Sequence, residues 1–260
     1  MTQKQHLKVT ILGSGTCVPS LERSSCSVLL ESGNQKMVID MGPGTMRRLL
    51  RAETTMLQVS HIFLSHFHPD HSAELVPFLF ASKYPVHSRR QAPLTIIAGN
   101  GFSDFFSGLS SVYGEWIDIG PDLLNIVELD NSARQKRSFD GFALESMPVK
   151  HRPESLAYRI TAPHGASVVY SGDTDVCDNL VDIAKDADLF ICESAFPDDL
   201  KKEGHLTPSR AGEIAARSNV RKLVLTHFYP ECETVDIEKE CRKTYSGPLV
   251  LAQDLMEFQL

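Results

Sequence analysis

The chain has 260 residues, of which 42% are hydrophobic, and it carries a formal net charge of -7 at pH 7. This length and hydrophobic content allow a substantial core within the range of one α/β domain, so we predict a single domain over residues 1–260. The negative charge provides no overall basic surface. It therefore argues against a long nucleic-acid partner and favours a small molecule or short nucleotide as substrate.

The six cysteines are scattered and form no C-x-x-C pair, so we interpret them as reduced thiols. Residues 1–10 are polar and lack the apolar core of a secretory signal. No apolar run is long enough to span a membrane. We expect a soluble cytoplasmic protein without a membrane partner.

Short apolar runs alternate with amphipathic stretches along the chain, which is typical of mixed α and β layers. In chain order, strands are predicted at 8–12, 27–31, 36–39, 61–64, 94–98, 143–148, 168–170, 189–192, 222–226 and 249–252. Helices are predicted at 45–52, 72–82, 103–113, 178–184, 208–218 and 237–245.

Local signals add a helix start and two loops to this prediction. Thr207 before Pro208 predicts a helix start, because a threonine can cap a free amide and proline fits the first helical position. Two basic clusters, residues 88–90 and 134–137, are predicted to be solvated loops.

The densest group of metal-binding residue types follows the strand predicted at 61–64. It is the segment H-x-H-x-D-H, with His66, His68, Asp70 and His71. Imidazole nitrogen and carboxylate oxygen bind zinc and similar divalent ions. Alternate residues on an extended loop point the same way, so His66 and His68 can share one metal while Asp70 and His71 face a second. The simpler alternative is an exposed polar loop without metal.

Three further candidates fall one to four residues beyond predicted strands: His151, Asp173 and His227. Taken singly, a histidine at a strand end is more often a hydrogen-bonded structural residue, and Gly-Asp-Thr is usually a turn. Strand ends are nevertheless where sites assemble in layered α/β folds. Their order and setting make these residues candidates for the missing ligands.

With these segments in view, the chain resembles the metallo-β-lactamase superfamily and, within it, the ribonuclease Z-like group. The matching segments cover nearly the whole length: Leu12-Gly13-Ser14-Gly15-Thr16 with Val18-Pro19, Ile39-Asp40-Met41-Gly42-Pro43-Gly44, the H-x-H-x-D-H segment, His151 with Ser155-Leu156-Ala157-Tyr158-Arg159, Ser171-Gly172-Asp173-Thr174, and Leu225-Thr226-His227-Phe228. The resemblance implies a four-layer αββα sandwich in the α/β class.

The same resemblance implies two divalent metal ions, with zinc expected and manganese or iron as alternatives. It assigns the first metal to His66, His68 and His151, the second to Asp70, His71 and His227, and a bridging position to Asp173. His68 stands where di-iron flavoprotein relatives carry a carboxylate. This difference favours a hydrolytic zinc-type centre over oxygen or nitric oxide reduction.

Two such cations lower the pKa of a shared water, so a metal-bound hydroxide is the expected nucleophile. Asp70 would bind metal and orient or deprotonate that water, and Asp40 would hold a ligand histidine in one tautomer. Glu193 and His205 look like the acid pair of ribonuclease Z-type phosphodiesterases, in which a glutamate orients a proton-donating imidazole. The alternative is that Glu193 only ends a strand and His205 only precedes a helix.

One departure from the resembled group concerns the substrate. Its transfer-RNA-processing members carry a protruding arm between the positions that match His151 and Asp173. Here that span is residues 152–172, which is 21 residues and leaves room for a strand pair and a turn. We therefore predict that the chain does not process transfer RNA by itself.

Three functions remain open on the sequence. The leading one is a phosphodiesterase for a small phosphodiester or a short nucleic-acid end. The second keeps the same metal centre but hydrolyses an acyl bond in a lactone or thioester. The third is a metal-stabilised binding protein without catalysis. Because dimers are common in the resembled group, a homodimer is a further expectation.

Overall fold

Two seven-stranded sheets form the centre of the computed structural model, which describes residues 6–84 and 86–260. The first sheet has the order β14-β1-β2-β3-β4-β5-β6, and the second has the order β13-β12-β11-β10-β9-β8-β7. The first comprises β1 (Leu7–Gly13), β2 (Ser27–Ser32), β3 (Gln35–Ile39), β4 (His61–Leu64), β5 (Leu94–Gly99), β6 (Leu124–Leu129) and β14 (Glu257–Gln259). The second comprises β7 (Gln135–Phe139), β8 (Phe142–Pro148), β9 (Leu156–Thr161), β10 (Ser167–Tyr170), β11 (Leu189–Glu193), β12 (Leu223–Thr226) and β13 (Leu249–Leu251).

Each sheet contains one parallel block. Strands β3 to β6 are parallel in the first sheet, and β10 to β13 are parallel in the second. The remaining neighbours pair antiparallel. Parallel strands bring their carboxyl ends to one edge, which is where α/β sheets place their sites.

Helices cover the outer faces of both sheets. They are α1 (Thr45–Arg51), α2 (Pro69–Ser72), α3 (Leu75–Lys83), α4 (Phe102–Tyr113), α5 (Asp178–Ala184), α6 (Pro208–Arg217) and α7 (Ile237–Arg242). One buried cluster joins the facing sides of the sheets, with Phe63 from the first and Tyr158 from the second, and extends to α5 and α6. A second cluster packs α3 and α4 on the first sheet through Phe78 and Phe102. The layers confirm the predicted αββα sandwich.

The helix predicted at 72–82 is interrupted: Ser72 is the last residue of α2, and α3 begins at Leu75. The break occurs because the amide of Glu74 donates to the carbonyl of Met41 at 2.9 Å, outside the helix. This contact bonds the segment that follows β3 to the segment that carries Asp70 and His71.

The cluster at 134–137 was wrongly predicted as a loop. Gln135, Lys136 and Arg137 lie in β7, an exposed edge strand that pairs with β8. Lys136 lies opposite Glu145, with their charged atoms 3.1 Å apart. Charged residues are typical of edge strands, and they hide the apolar alternation that would predict a strand. Strands β6 and β14 were also missed.

The prediction that residues 88–90 form a solvated loop is wrong for Arg90. Arg90 is 1% exposed, and its guanidinium donates to the carbonyls of Val59, at 2.9 Å, and Met56. The group also lies over the ring of Phe78. A buried arginine can replace missing backbone partners of an irregular segment, and no local pattern signals this.

Helix α6 begins at Pro208, as predicted, but the threonine cap is not formed. The side chain of Thr207 makes no capping hydrogen bond. The amide of Ser209 is instead satisfied by the carboxylate of Asp198 at 3.1 Å. An acid from a neighbouring loop therefore replaces the predicted local cap.

The span between His151 and Asp173 is a hairpin of β9 and β10, which pair antiparallel. This confirms the predicted strand pair and leaves no protruding arm in that span. All six cysteines lie in the described residues and are free thiols. Among the described residues, no helix combines the length and apolar composition that a membrane crossing requires.

Candidate metal centre

All seven predicted ligands converge at the edge where the parallel strands end. His66 and the short helix α2 follow β4, Asp173 follows β10, and His227 follows β12 directly. His151 comes from the loop between β8 and β9. Most of these side chains are buried, with Asp70 9% exposed and Asp173 3% exposed as residues.

The carboxylate of Asp173 lies between two groups of histidines. Its Oδ2 atom is 3.8 Å from Nε2 of His66 and 3.9 Å from Nε2 of His151. Its Oδ1 atom is 3.3 Å from Nε2 of His71 and 3.4 Å from Nε2 of His227. One carboxylate therefore faces both groups, each through a different oxygen.

The two remaining candidate ligands, His68 and Asp70, fall into the same two groups. Nδ1 of His68 is 3.2 Å from Nε2 of His151. Oδ2 of Asp70 is 3.7 Å from Nε2 of His71 and 3.6 Å from Nε2 of His227. His68 thus lies with the first group and Asp70 with the second.

Hydrogen bonds on the far side of the rings orient the histidines. Nδ1 of His71 lies 2.7 Å from Oδ2 of Asp40, and Nδ1 of His151 lies 2.9 Å from the carbonyl of Gly204. Both acceptors lack hydrogens, so each Nδ1–H donates and Nε2 is the ring atom that faces the centre. Nε2 is therefore the atom that can bind a metal once it carries no proton.

Asp40 is the centre of a buried network that supports these ligands. Its carboxylate accepts hydrogen bonds from the amide of Ser65 at 2.7 Å, the hydroxyl of Ser65 at 2.8 Å and the hydroxyl of Tyr170 at 2.8 Å. The hydroxyl of Ser65 donates to Asp40, so it can accept from Nδ1 of His66 at 3.0 Å. Asp40 thereby helps orient both His66 and His71.

The donor atoms fit divalent cations. Nε2 of His66 and Oδ1 of Asp173 are buried and lack a hydrogen-bond partner among the described residues. Nε2 of His71 and Nε2 of His227 face each other at 3.4 Å. Buried polar atoms are rarely left unpaired, and these are the nitrogen and oxygen donors that zinc and similar ions bind.

The protonation states favour metal binding. Burial lowers the pKa of His66 well below its usual range and also lowers the pKa of His151. Burial alone would raise the pKa of Asp173, but His227 and His71 hold it well below the usual value. Burial likewise opposes protonation of His71, but Asp173 and Asp40 raise its pKa. A charged carboxylate among mostly neutral imidazoles attracts a cation, which can replace the proton at His71.

The backbone is strained where it presents these groups. Asp40 and His227 both have a φ of 62°, a left-handed conformation that residues with side chains adopt infrequently. Gly172 has a φ of 58°, and a Cβ there would lie 2.7 Å from Cβ of Ser65. A Cβ on Gly42 would lie 2.2 Å from the carbonyl oxygen of Asp70. Both glycines permit close approach of the loops that carry the ligands.

Glu193 and His205 lie beside the ligand cluster. Oε1 of Glu193 accepts from the amide of Thr174 at 2.6 Å and lies 3.2 Å from Nδ1 of His205. Oε2 accepts from the amide of Leu206 at 3.1 Å, so the buried carboxylate is fixed on both oxygens. Burial opposes protonation of His205, but the hydrogen bond and charge of Glu193 raise its pKa to about 9. His205 is therefore protonated at neutral pH, with Nδ1 only 3.8 Å from Oδ2 of Asp173.

Sequence reasoning missed three members of the site. Ser65 and Tyr170 bind Asp40, and the signal for both was their position next to His66 and to Ser171-Gly172-Asp173. Cys26 lies close to ring nitrogens of the second group. Burial raises its pKa well above the usual value, and its thiol donates to the carbonyl of Gly15 at 3.2 Å. No motif marked it.

Comparison with known proteins gives one family and several relatives. Residues 35–228 match the family described as the beta-lactamase superfamily domain. An uncharacterized protein of Mycobacterium tuberculosis is 34% identical over 254 residues, which cover 94% of this chain and 88% of that protein. A ribonuclease Z of Methanosarcina acetivorans is 27% identical over 304 aligned positions, covering 98% of both chains.

Solved structures show the same fold. The metallo-beta-lactamase fold protein YhfI of Bacillus subtilis has a TM-score of 0.84 and 24% identity, covering 99% of this chain and 100% of that chain. The short form of human tRNase Z has a TM-score of 0.77 and 24% identity, covering 96% and 98% of the two chains.

Proposed function

The chain belongs to the beta-lactamase superfamily and is a metal-dependent hydrolase, and from that premise we propose that it cleaves a small phosphodiester or a short nucleic-acid end. The observation that carries this proposal is the pair of Glu193 and His205 beside the ligand cluster. A phosphodiester with an alkoxide leaving group needs a proton on the departing oxygen. Many acyl substrates can react without such a donor.

Seven residues would hold two divalent cations. When bound, the cations supply Lewis acidity that activates water and neutralises charge on the reacting phosphate. Zinc is the metal we propose, with manganese or iron as alternatives, because the donors are imidazoles and carboxylates. The first group is His66, His68 and His151, the second is Asp70, His71 and His227, and Asp173 serves both.

Asp70 has a second role in this proposal. It is the carboxylate of the second group, and it also lines the cavity that opens beside the cluster. Burial would raise its pKa, but the hydrogen bond and charge of His227 lower it below the usual value. A charged carboxylate in this position can orient the attacking water and accept its proton.

His205 is the proposed proton donor to the leaving group. Because Glu193 accepts from Nδ1, the Nε2–H of the imidazolium is available for the departing oxygen. The amides of Thr174 and Leu206 hold Glu193 in place. The short hairpin between His151 and Asp173 supports a small substrate, since that span offers no arm to grip a longer one.

Hydrolysis assays on protein reconstituted with zinc or manganese test the proposal. We expect turnover of bis(p-nitrophenyl) phosphate that is lost in His68→Ala. Equal residual rates in the wild-type protein and His68→Ala with every metal would refute the phosphodiesterase proposal.

The same assays separate the other two functions. Selective turnover of a lactone or thioester, with little loss in His205→Ala, would identify an acyl hydrolase instead. Tight binding of two metals without hydrolysis of any substrate would identify a metal-stabilised binding protein.

A further inference from the structure

A cavity of about 790 Å³ opens directly beside the ligand cluster. Asp70 and Pro69 line it at the side of the cluster, and the loop that contains Cys17 forms another wall. Helix α1 lines the far side with Arg47 and Arg51. A substrate that reacts at the cluster can therefore extend toward α1, in a space of the size that commonly holds a nucleotide-sized ligand.

Two of the arginines that line this cavity already have acidic partners. Nε of Arg23 is 2.8 Å from Oε1 of Glu233. Nη2 of Arg48 is 2.9 Å from Oδ2 of Asp254, which is nearly buried. These two side chains stabilise the wall of the cavity, and their charges are compensated.

The other two arginines have no such partner. The side chains of Arg47 and Arg51 are exposed, and neither side chain makes a hydrogen bond or ion pair with any residue in the described part of the chain. They lie four residues apart on α1, so their side chains leave the same face of the helix. The acidic residue that lines this cavity is Asp70, which faces the cluster. Arg47 and Arg51 therefore bring two positive charges without an ion-pair partner to one cavity of a chain whose net charge is -7.

The position of α1 relative to the cluster is fixed by backbone contacts. The amide of Met41 donates to the carbonyl of His71 at 2.7 Å, and the carbonyl of Met41 accepts from Glu74 at 2.9 Å. The carboxylate of Glu74 accepts from the amide of Met46, in the first turn of α1, at 3.0 Å. The helix that carries the arginines is thus held at a set distance from Asp70 and His71.

From this arrangement we propose that Arg47 and Arg51 form a binding site for a second phosphate group of the substrate. The inference rests on the proposed phosphodiesterase function and specifies its substrate class: a phosphodiester that carries another phosphate about one nucleotide away from the reacting one. Arginine suits this role because its planar guanidinium binds phosphate oxygens in pairs. The negative charge of a second phosphate would also balance the positive charge of the two arginines.

A matched pair of substrates tests the proposal on the metal-loaded protein. The first is the p-nitrophenyl ester of thymidine monophosphate, and the second is the same ester with an additional phosphate on the free sugar hydroxyl. We expect kcat/KM to be about tenfold or more higher for the second, mainly through KM, since tenfold corresponds to about 1.4 kcal/mol and a charged hydrogen bond can supply that much. In the double variant Arg47→Gln/Arg51→Gln this preference should fall to about one.

The control is the double variant Arg89→Gln/Arg137→Gln. It changes the net charge equally at two exposed arginines that do not line this cavity, and we expect it to keep the preference. The proposal would be overturned if the wild-type protein had similar kcat/KM values for the two esters. It would also be overturned if Arg47→Gln/Arg51→Gln kept the preference for the second ester.

Calorimetric binding of thymidine bisphosphate and thymidine monophosphate gives a readout that does not depend on turnover. Stronger binding of the bisphosphate, lost only in Arg47→Gln/Arg51→Gln, supports the site even if neither ester is hydrolysed. In that case only the phosphodiesterase proposal would fail. Equal binding of both nucleotides by the wild-type protein would overturn the phosphate site.

Discussion

The proposed role of His205 as a proton donor distinguishes phosphodiester chemistry from acyl chemistry at this centre. Its imidazole is held by Glu193, and its pKa of about 9 keeps it protonated at neutral pH. A proton donor matters most when the leaving group is a poor one. If His205 is a proton donor, its removal should slow the reaction more for a poor leaving group than for a good one. This difference tests its proposed role.

We predict that His205→Ala lowers kcat for a dinucleotide, which releases an alkoxide, by about one hundredfold or more. The loss for bis(p-nitrophenyl) phosphate should be under about tenfold, because p-nitrophenolate departs without a proton. Steady-state kinetics on both substrates measure the two ratios. An equal loss on both would indicate that His205 only supports the structure of the site.

His61 lies outside the site, and its lowered pKa makes a testable prediction about stability. Its ring packs against Phe139 and Phe142, with ring centroids 5.3 and 5.0 Å apart respectively. Burial lowers its pKa from 6.5 to about 4. Between these values the unfolded chain binds the proton and the folded chain does not, so stability is lost as the pH falls.

From about pH 7.5 to about pH 5, we expect the wild-type protein to lose about 1–2 kcal/mol of unfolding free energy that His61→Gln does not lose. The partial exposure of the ring reduces the effect below the full pKa difference. Urea unfolding of both proteins at both pH values measures it. Parallel losses would show that His61 titrates normally in the folded state.

At the scale of elements, strands and helices with strong apolar patterns were predicted closely. Helix α5 and strand β4 have the predicted bounds, and α6 begins at the predicted residue. The errors have a common physical cause, because long-range contacts replaced local signals. Glu74 bonds Met41 and divides a predicted helix, and pairing with β8 makes a strand of the polar segment at β7.

In the candidate site as well, residues with a local sequence signal were predicted, and contacts between distant segments were not. The four candidate ligands in one short segment carry a sequence pattern. His151, Asp173 and His227 became candidates through their positions beyond predicted strands, and the resemblance assigned them to the metals. Ser65 and Tyr170 adjoin candidate ligand segments in the sequence, but their contacts with Asp40 could not be predicted, because those contacts depend on how the two sheets face each other. The unpaired charges of Arg47 and Arg51 likewise appear only when the partners of Arg23 and Arg48 are known.

Arg90 connects the segment after α3 to the short 3-10 helix before β4. We predict that Arg90→Ala lowers the unfolding free energy by about 2–3 kcal/mol, since the buried carbonyl of Val59 and the part-buried carbonyl of Met56 lose their donor. Arg89→Ala, at the exposed neighbour, should change it by less than about 0.5 kcal/mol. Chemical denaturation compares the two, and similar values would contradict the structural role assigned to Arg90.

At the scale of the whole molecule, the cluster joins both sheets. Its candidate ligands come from segments that follow β4 in the first sheet and β8, β10 and β12 in the second. Metal bound there should therefore stabilise the fold as well as support catalysis. The single domain, the homodimer, zinc as the metal and the cytoplasmic location stay predictions.

We expect chelation of the metals to lower the thermal unfolding midpoint by at least about 5 °C. A cation present at about one hundred times its Kd adds about 2.7 kcal/mol of stability, and each kcal/mol shifts the midpoint by about 2–4 °C in a chain of this size. Calorimetry with and without chelator measures the shift. His68→Ala/His227→Ala should show a much smaller one, and an unchanged midpoint in the wild-type protein would show that metal does not bind the folded state.

Anomalous diffraction from crystals of the zinc-loaded protein tests the two-metal centre directly. We expect two peaks on either side of the Asp173 carboxylate, about 3.5–4 Å apart. One peak should lie beside His66, His68 and His151, and the other beside Asp70, His71 and His227. A single peak, or peaks away from these side chains, would contradict the two-metal centre on which the proposed function depends.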